Sequence, residues 1–445
     1  MNPVAERLLQ RVRDQGADEA EVFLSHGTEF TVKVYKGEIE SLVSAQSRGV
    51  GLRTLRERRM GFAYTSELDP DALDALAGEA LHNGRFNHPD EANILPDPEP
   101  IVPLEGLSSP TAAGVDPQRK IEFALELEQR TVSLDPRVKR VSDAVYSDGS
   151  GHVEIYNTRG LRAGFDRSVA YGVVEAIAEQ DSEMQSGFSF TYGRDLDALD
   201  LEATAQEAVA RAAGLLGARR VPTATVPVVL DPLAAAMILG VISSSFSADA
   251  VQKQRSLLAG KIGQAIASDL VTIVDDARLP EGLASRPFDG EGVPSRRNEL
   301  VRRGVLQGYL HNAYTARRAG ERSTGSAARS YKSVPQVGVS NITFQPGSVS
   351  RQALLDRVED GLYVSHLHGL HTVNPVSGDF SLGLTGHWVR RGQLTQPVRE
   401  LTVAGNLIDL LKKIVGLADD LRFNVAGGFC GSPTLLIEEL PVGGA

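Results

Sequence analysis

The stretch G-F-A-Y-T-S-E-L-D-P-D-A-L at residues 61–73 returns, loosely altered, as G-F-S-F-T-Y-G-R-D-L-D-A-L at residues 187–199. Each copy runs from an alternating strand through a polar turn into an Ala-rich helix, with Asp69-Pro70 placing a proline in a first helical turn. Repetition of a strand, turn and helix together points to an internally duplicated unit. Before the first copy lie an amphipathic helix over residues 4–15 and period-two strands over residues 21–25, 30–36, 38–45, 49–57 and 58–65. Before the second lie a helix over residues 119–133 and strands between residues 138 and 178. Seven prolines in residues 88–117 predict a linker or extended crossing segment between the copies. The tract R-R-V-P-T ends a helix near residue 220, and the apolar strand V-P-V-V-L opens a third region. The expected fold is α+β. It comprises an N-terminal α/β unit over residues 1–88, a Pro-rich linker over 89–117 and a middle α/β unit over 118–220. A strand-rich mixed C-terminal domain follows over 221–445.

A chain of 445 residues is too long for one compact core. A hydrophobic fraction of 42% and a charged fraction of 23% are those of an ordinary soluble globular protein. A single cysteine, Cys430, excludes an internal disulfide and any cysteine-based metal clip, which makes the cytoplasm the expected compartment. No run approaches the roughly 20 apolar residues of a membrane helix. The net charge of −11 argues against a protein built to hold a nucleic-acid backbone. Nine basic residues between Arg296 and Lys332, against only Glu299 and Glu321, are the local exception, and they read as a solvated or partner-facing surface.

Few residues suggest chemistry by themselves. In H-L-H-G-L-H, His366 and His368 share one side of a strand, and His371 beyond Gly369 could add a third nitrogen to a metal site. The competing reading is a metal-free, hydrogen-bonded cluster at a loop mouth or subunit contact, with Glu359 and Asp360 before it on a helix end. In D-G-E-G, Asp289 and Glu291 could hold a cation, but the nearby Arg286, Arg296 and Arg297 favour an ion-pair network shaping the loop. Ser243 to Ser245 lack a nucleophile elbow and a base, and no phosphate-binding glycine loop exists.

Several segments together resemble the TldD/TldE (PmbA) peptidase family. They are L-P-E-G-L-A-S-R-P-F-D-G-E-G at residues 279–292, G-D-F-S-L-G at 378–383, G-A-D-E-A-E-V at 16–22, N-E-L-V-R-R-G-V-L-Q-G-Y-L at 298–310, S-T-G-S-A at 323–327 and V-R-E-L-T-V-A-G-N-L at 398–407. In the TldD branch the helix after the V-P-V-V-L-type strand carries a metal-binding H-E-x-x-x-H, in which two imidazoles share a face and the glutamate acts as base. Here that helix reads D-P-L-A-A-A-M-I-L-G-V-I-S-S-S-F, with residues such as Ala235, Ala236, Ile238 and Leu239 at ligand positions and neither His nor Glu. The chain therefore resembles the TldE branch.

The resemblance implies a subunit without metal that pairs with a TldD-like H-E-x-x-x-H subunit in a heterodimeric zinc metallopeptidase acting on unfolded or small peptides. No cofactor is expected in this chain, and zinc is expected in the partner. Homodimerisation is possible when the chain is alone, which is expected to be inactive. Arg286, Asp289, Glu291 and Asp379 are the candidates for shaping the cleft or interface, with Cys430 a small buried residue left without a metal site to complete. The alternatives are a non-proteolytic regulatory module of the gyrase-modulator type and an autonomous homodimeric hydrolase using His366, His368 and His371.

Overall fold

The computed structural model describes residues 2–425 and 429–444. Its N-terminal half is two copies of one helix, three-strand, helix unit. The first copy comprises α1 (Pro3–Asp14), β1 (Glu19–Tyr35), β2 (Glu38–Arg56), β3 (Arg59–Thr65) and α2 (Pro70–Gly84). The second comprises α3 (Pro117–Leu134), β4 (Val138–Asn157), β5 (Arg162–Gln180), β6 (Glu183–Gly193) and α4 (Leu201–Gly214). Antiparallel pairing of β1 with β4 joins the copies edge to edge into one sheet of order β3-β2-β1-β4-β5-β6.

Five strands expected over residues 21–65 are three long ones. The polar tract S-H-G-T-E breaks the apolar alternation, yet its backbone goes on pairing with β2 and β4 from Ser25 to Glu29. All four helices cover one face of the sheet. Leu8 and Leu76 pack on Val22 and Leu52 at one end, and Leu127 and Ala208 pack on Phe30 and Tyr146 at the other.

The sequence echo has a packing cause. A Cβ on Gly61 would lie 1.9 Å from the Ala80 carbonyl oxygen, and one on Gly187 would lie 2.2 Å from that of Ala208. In each copy the glycine lets a strand run flush against the helix that follows it.

The C-terminal half begins with β7 (Ala224–Leu230), α5 (Pro232–Ser243), α6 (Ala248–Gln252) and β8 (Ile273–Asp276). Next come β9 (Arg297–Arg302), β10 (Val305–Leu306), α7 (Ala313–Ala319), β11 (Ala327–Ala328), β12 (Gln336–Val337), β13 (Ile342–Phe344) and α8 (Arg351–Leu355). The chain ends with β14 (Asp360–His368), β15 (Asp379–Arg390), β16 (Gln393–Asn406), α9 (Leu407–Lys412), β17 (Ile414–Leu417), β18 (Arg422–Asn424), β19 (Cys430–Ser432) and β20 (Leu435–Gly443). Pairing of β16 with β20 closes β16-β15-β14-β7-β20 into a five-stranded barrel. A second sheet, β10-β9-β8-β13-β19-β18, shares the barrel's core through α5. The architecture is the α+β class expected from the sequence. Asp360, expected on a helix end, instead opens β14.

The proline-rich segment crosses between the halves as an extended strap with Leu95 and Leu107 buried. Arg296 pairs with Glu99 at 3.0 Å, and Arg278 donates to the Val102 and Pro103 carbonyls. Among the described residues no helix is long and apolar enough to cross a membrane.

Gly61→Ala forces backbone apart and is expected to cost about 1–3 kcal/mol or more. Gly78→Ala, on the open face of α2 where a Cβ meets nothing, should be neutral or stabilise by up to about 1 kcal/mol. Urea denaturation of the two variants checks the contrast.

Candidate functional site

A cavity of about 720 Å³ separates the N-terminal sheet from the C-terminal half. Its floor is α5. This helix starts where Asp231 accepts the Leu233 amide at 2.9 Å and Pro232 fills the first turn. The Asp231 carboxylate also takes the Tyr363 hydroxyl at 2.6 Å and Arg211 at 3.3 Å, which fixes the helix end to β14 and α4. Most of α5 is buried in the core, and the residues it presents to the cavity are Leu233, Ala236, Met237, Gly240 and Val241. Ala236, Met237 and Val241 stand at i, i+1 and i+5, the spacing of H-E-x-x-x-H. Ala235, Ile238 and Leu239, read from the sequence as ligand positions, face the core instead, and only Ala236 of that set meets the cavity.

Cys430 reaches the cavity from β19, 3.7 Å from where a Gly240 Cβ would lie. Burial, then the nearby Asp275, pushes its thiol up to about 11, so it is a protonated wall group at neutral pH. Opposite stand His366, His368 and His371, and the structure brings all three to one cavity. The rings of His366 and His368 are 4.7 Å apart. Burial first, then the His368 and Arg211 charges, pushes His366 down to about 4, and burial lowers His368. Both are neutral at pH 7. Among the described residues no three His, Cys, Asp or Glu side chains converge to hold a metal. The residues around α5 therefore do not fit the metal of an H-E-x-x-x-H helix.

The D-G-E-G loop lies elsewhere, at the seam between the halves. Glu291 accepts Arg53 at 3.0 Å and the Ala313 amide at 2.7 Å, and Arg53 also reaches Glu21 at 3.2 Å. Arg329 pairs with Glu21 and lies 4.9 Å over the Phe23 ring. All four charged side chains are buried. Asp289 accepts the amides of Glu291, Val293 and Ala327. Burial and the Glu291 charge push Asp289 up to about 7. The expected network exists, but its cations come from β2 and from Arg329 rather than from Arg286, Arg296 and Arg297.

Arg286 keeps Nε and Nη2 buried with no hydrogen-bond partner among the described residues. Asp379, exposed at the start of β15, is held by Asn406 and Ser377, which lower it below the usual carboxylate range. The basic run is not one free surface: Arg296, Arg297, Arg302 and Arg329 each have a carboxylate partner.

Three family models match in chain order: PmbA/TldA metallopeptidase domain 1 over residues 20–84, the central domain over 110–216 and the C-terminal domain over 223–444. The chain is 29% identical over 434 residues to the metalloprotease PmbA of Escherichia coli O157:H7, covering 96% of this chain and 93% of the relative. It is 30% identical over 431 residues to a metalloprotease TldD homolog of Haemophilus influenzae, covering 89% and 87%. A crystal structure of a putative modulator of a DNA gyrase from Thermotoga maritima superposes with a TM-score of 0.91 at 27% identity, covering 99% of both chains. The fold is also that of TldE from Thermococcus kodakarensis, with a TM-score of 0.89 at 23% identity over 99% of this chain and 100% of that one.

Two measurements test this geometry. Arg53→Met leaves Glu21 and Glu291 buried with less counter-charge and should cost about 3–5 kcal/mol in urea denaturation, whereas Arg302→Met at the exposed pair with Glu299 should cost less than about 1 kcal/mol. In an NMR titration His366 should keep its neutral shift well below pH 6.5, with a midpoint about 4, and His368→Asn should raise that midpoint. Between these values the unfolded chain binds a proton that the folded cavity refuses, so the His366 contribution to stability is lost as pH falls from about 6.5 towards 4.

Proposed function

This chain belongs to the PmbA/TldD metallopeptidase family, and from that premise we propose that it is the metal-free subunit of a heterodimeric peptidase. The observation that carries the reading is the cavity face of α5. Ala236, Met237 and Val241 occupy the spacing of a metal-binding motif on a helix that still borders a large cavity. An apolar helix face can pack against a substrate but cannot bind a cation or activate water. The neutral imidazoles of His366 and His368 offer hydrogen bonds to the same space without the proton affinity of a general base near neutral pH.

In this reading a TldD-like partner bearing H-E-x-x-x-H supplies a zinc ion and the hydrolytic chemistry. This chain binds and orients an unfolded or small peptide between its sheet and barrel. The cavity combines polar side chains with the apolar walls of Phe188, Phe190 and Leu370, the mixture expected of a site that accepts peptide backbone and varied side chains. A single buried cysteine suits work in the cytoplasm.

The test is hydrolysis of an unstructured peptide by this chain, by an H-E-x-x-x-H relative from the same source, and by the two mixed, each with and without a chelator. Cleavage is expected only in the mixture and should vanish with chelator. Cleavage by this chain alone would overturn the reading and turn attention to the His366 cluster, and a mixture no more active than its parts would favour a regulatory role.

A further inference from the structure

A second cavity lies on the same face of the N-terminal sheet, and its chemistry is different. Along β5, side chains facing the C-terminal half fall into cross-strand rows. Arg167 aligns with Gly151 and Gly27, and Val169 aligns with Gly149 and Glu29. Tyr171 follows, beside Ser147. The three glycines leave the sheet floor without side chains, and a cavity of about 610 Å³ stands over it. Leu283, Ala284, Val425 and Phe429 wall it from the C-terminal half.

Arg167 borders this space with no carboxylate partner among the described residues. Desolvation and the neighbouring Arg286 both lower its pKa from the ordinary guanidinium value. Arg194, whose charge Arg167 also opposes, is tied to the Ser168 and Gly282 carbonyls at 3.1 and 2.6 Å. Arg286 has buried Nε and Nη2 atoms without partners. Arg167 thus faces the charges of two further guanidiniums, Arg286 and Arg194, at one end of a groove.

The carboxylates near them leave Arg167 without an ion pair. Asp275 and Asp289 offset part of the Arg286 charge without forming an ion pair with it, and burial pushes both upward. Asp148 in the cavity wall is taken by Lys120 and Tyr146. Glu29 lies one row along the floor. Arg167 is exposed to the cavity, and an incoming anion gains a charge-assisted hydrogen bond to a guanidinium that no carboxylate among the described residues already holds.

We propose that this cavity binds the carboxylate of a peptide, with Arg167 as the direct contact and Arg286 and Arg194 supplying the field behind it. Among the described residues no helix begins at the cavity, the arrangement that many phosphate sites use. The aliphatic and aromatic wall suits the side chain beside a carboxyl group. From Arg167 the same face of β5 leads past Tyr171 to Glu175 in the first cavity, eight residues or about 27 Å on. That distance accommodates about eight residues of extended peptide, so the chain anchors the anionic part of a substrate while the rest reaches the α5 cavity. The inference rests on the peptide-handling reading and adds the substrate feature that it selects.

Fluorescence anisotropy with this chain alone tests it, using a labelled octapeptide of uncharged sequence in three forms. The forms carry a free C-terminal carboxylate, a C-terminal amide, or an amide with glutamate as the last residue. At least one carboxylate form should bind about tenfold more tightly than the plain amide. Which one does identifies the main-chain or side-chain source. Arg167→Ala should abolish the difference and Arg167→Lys retain part of it, with thermal unfolding of both unchanged because Arg167 is exposed to the cavity.

Equal binding of all three forms would overturn the proposal, as would discrimination surviving in Arg167→Ala or no binding at millimolar peptide. Turnover plays no part in this measurement. An inactive mixture in the cleavage assay would therefore sink the subunit reading while leaving a carboxylate preference intact.

Discussion

The buried ionic seam formed by Glu21, Arg53, Glu291 and Arg329 is the constraint on which the arrangement of the two halves depends. It joins β1 and β2 of the N-terminal sheet to the D-G-E-G loop and to the segment at β11. Two carboxylates face two guanidiniums, so the set is neutral, and each carboxylate also finds a second donor. Removing such charges from water is expensive, and only close geometry offsets the cost. A seam of this kind tolerates one docking position. Asp289 is the extra acid beside a balanced set, and its carboxyl is pushed up by burial and by Glu291 because no third cation pairs with it. Gly292, at φ +78° with a Leu161 methyl 2.2 Å from where its Cβ would lie, allows the loop to enter the seam.

The seam is paired with an apolar clamp, in which Phe165 and Phe288 meet edge to face at 5.1 Å beside Phe23 and Ile155. Together they press one end of the sheet against the C-terminal half. Farther along β5 the surfaces part, and both cavities open there. Glu207 forms the other tie, pairing with Arg211 on its own helix and with Arg422 across the gap, and lies well below the usual carboxylate range despite its burial. The cavities are thus spanned between two ionic struts rather than left by loose packing.

Much of this was legible in local sequence pattern. The duplicated unit, the proline-rich strap and the apolar α5 follow from periodicity and composition, because each is decided by residues close in the chain. The number of strands was not, since S-H-G-T-E continues as strand only because neighbours pair with it on both sides. The partners of Glu291 were not legible either. Arg53 is 238 residues away, and Arg286, Arg296 and Arg297 were the nearer cations. One signal was present in E-A-E-V-F, where Glu21 occupies the strand face otherwise used by Phe23. A charge on a strand buried on both faces implies a distant counter-charge. That His366, His368 and His371 share a cavity was partly readable from strand alternation, but the wall opposite them was not.

The residues that keep the cavities open are small. Gly27, Gly149 and Gly151 leave the sheet bare above β1 and β4, and Ala236 and Gly240 do the same on α5. On α5 a larger aliphatic side chain at Ala236 would remove apolar surface from water at roughly 25 cal/mol per Å² and draw the halves together, whereas a Cβ on Gly27 would lie 2.7 Å from the Ser150 carbonyl oxygen. Stability by itself therefore favours filling the space at α5. Fixed struts at each end, bare floors between them, neutral imidazoles at one wall and Arg167, unpaired among the described residues, at another define a volume shaped for an occupant that is not part of the fold. The charge asymmetry further specifies that occupant: an extended chain carrying negative charge at one end gains most from the groove, and a compact neutral molecule gains little.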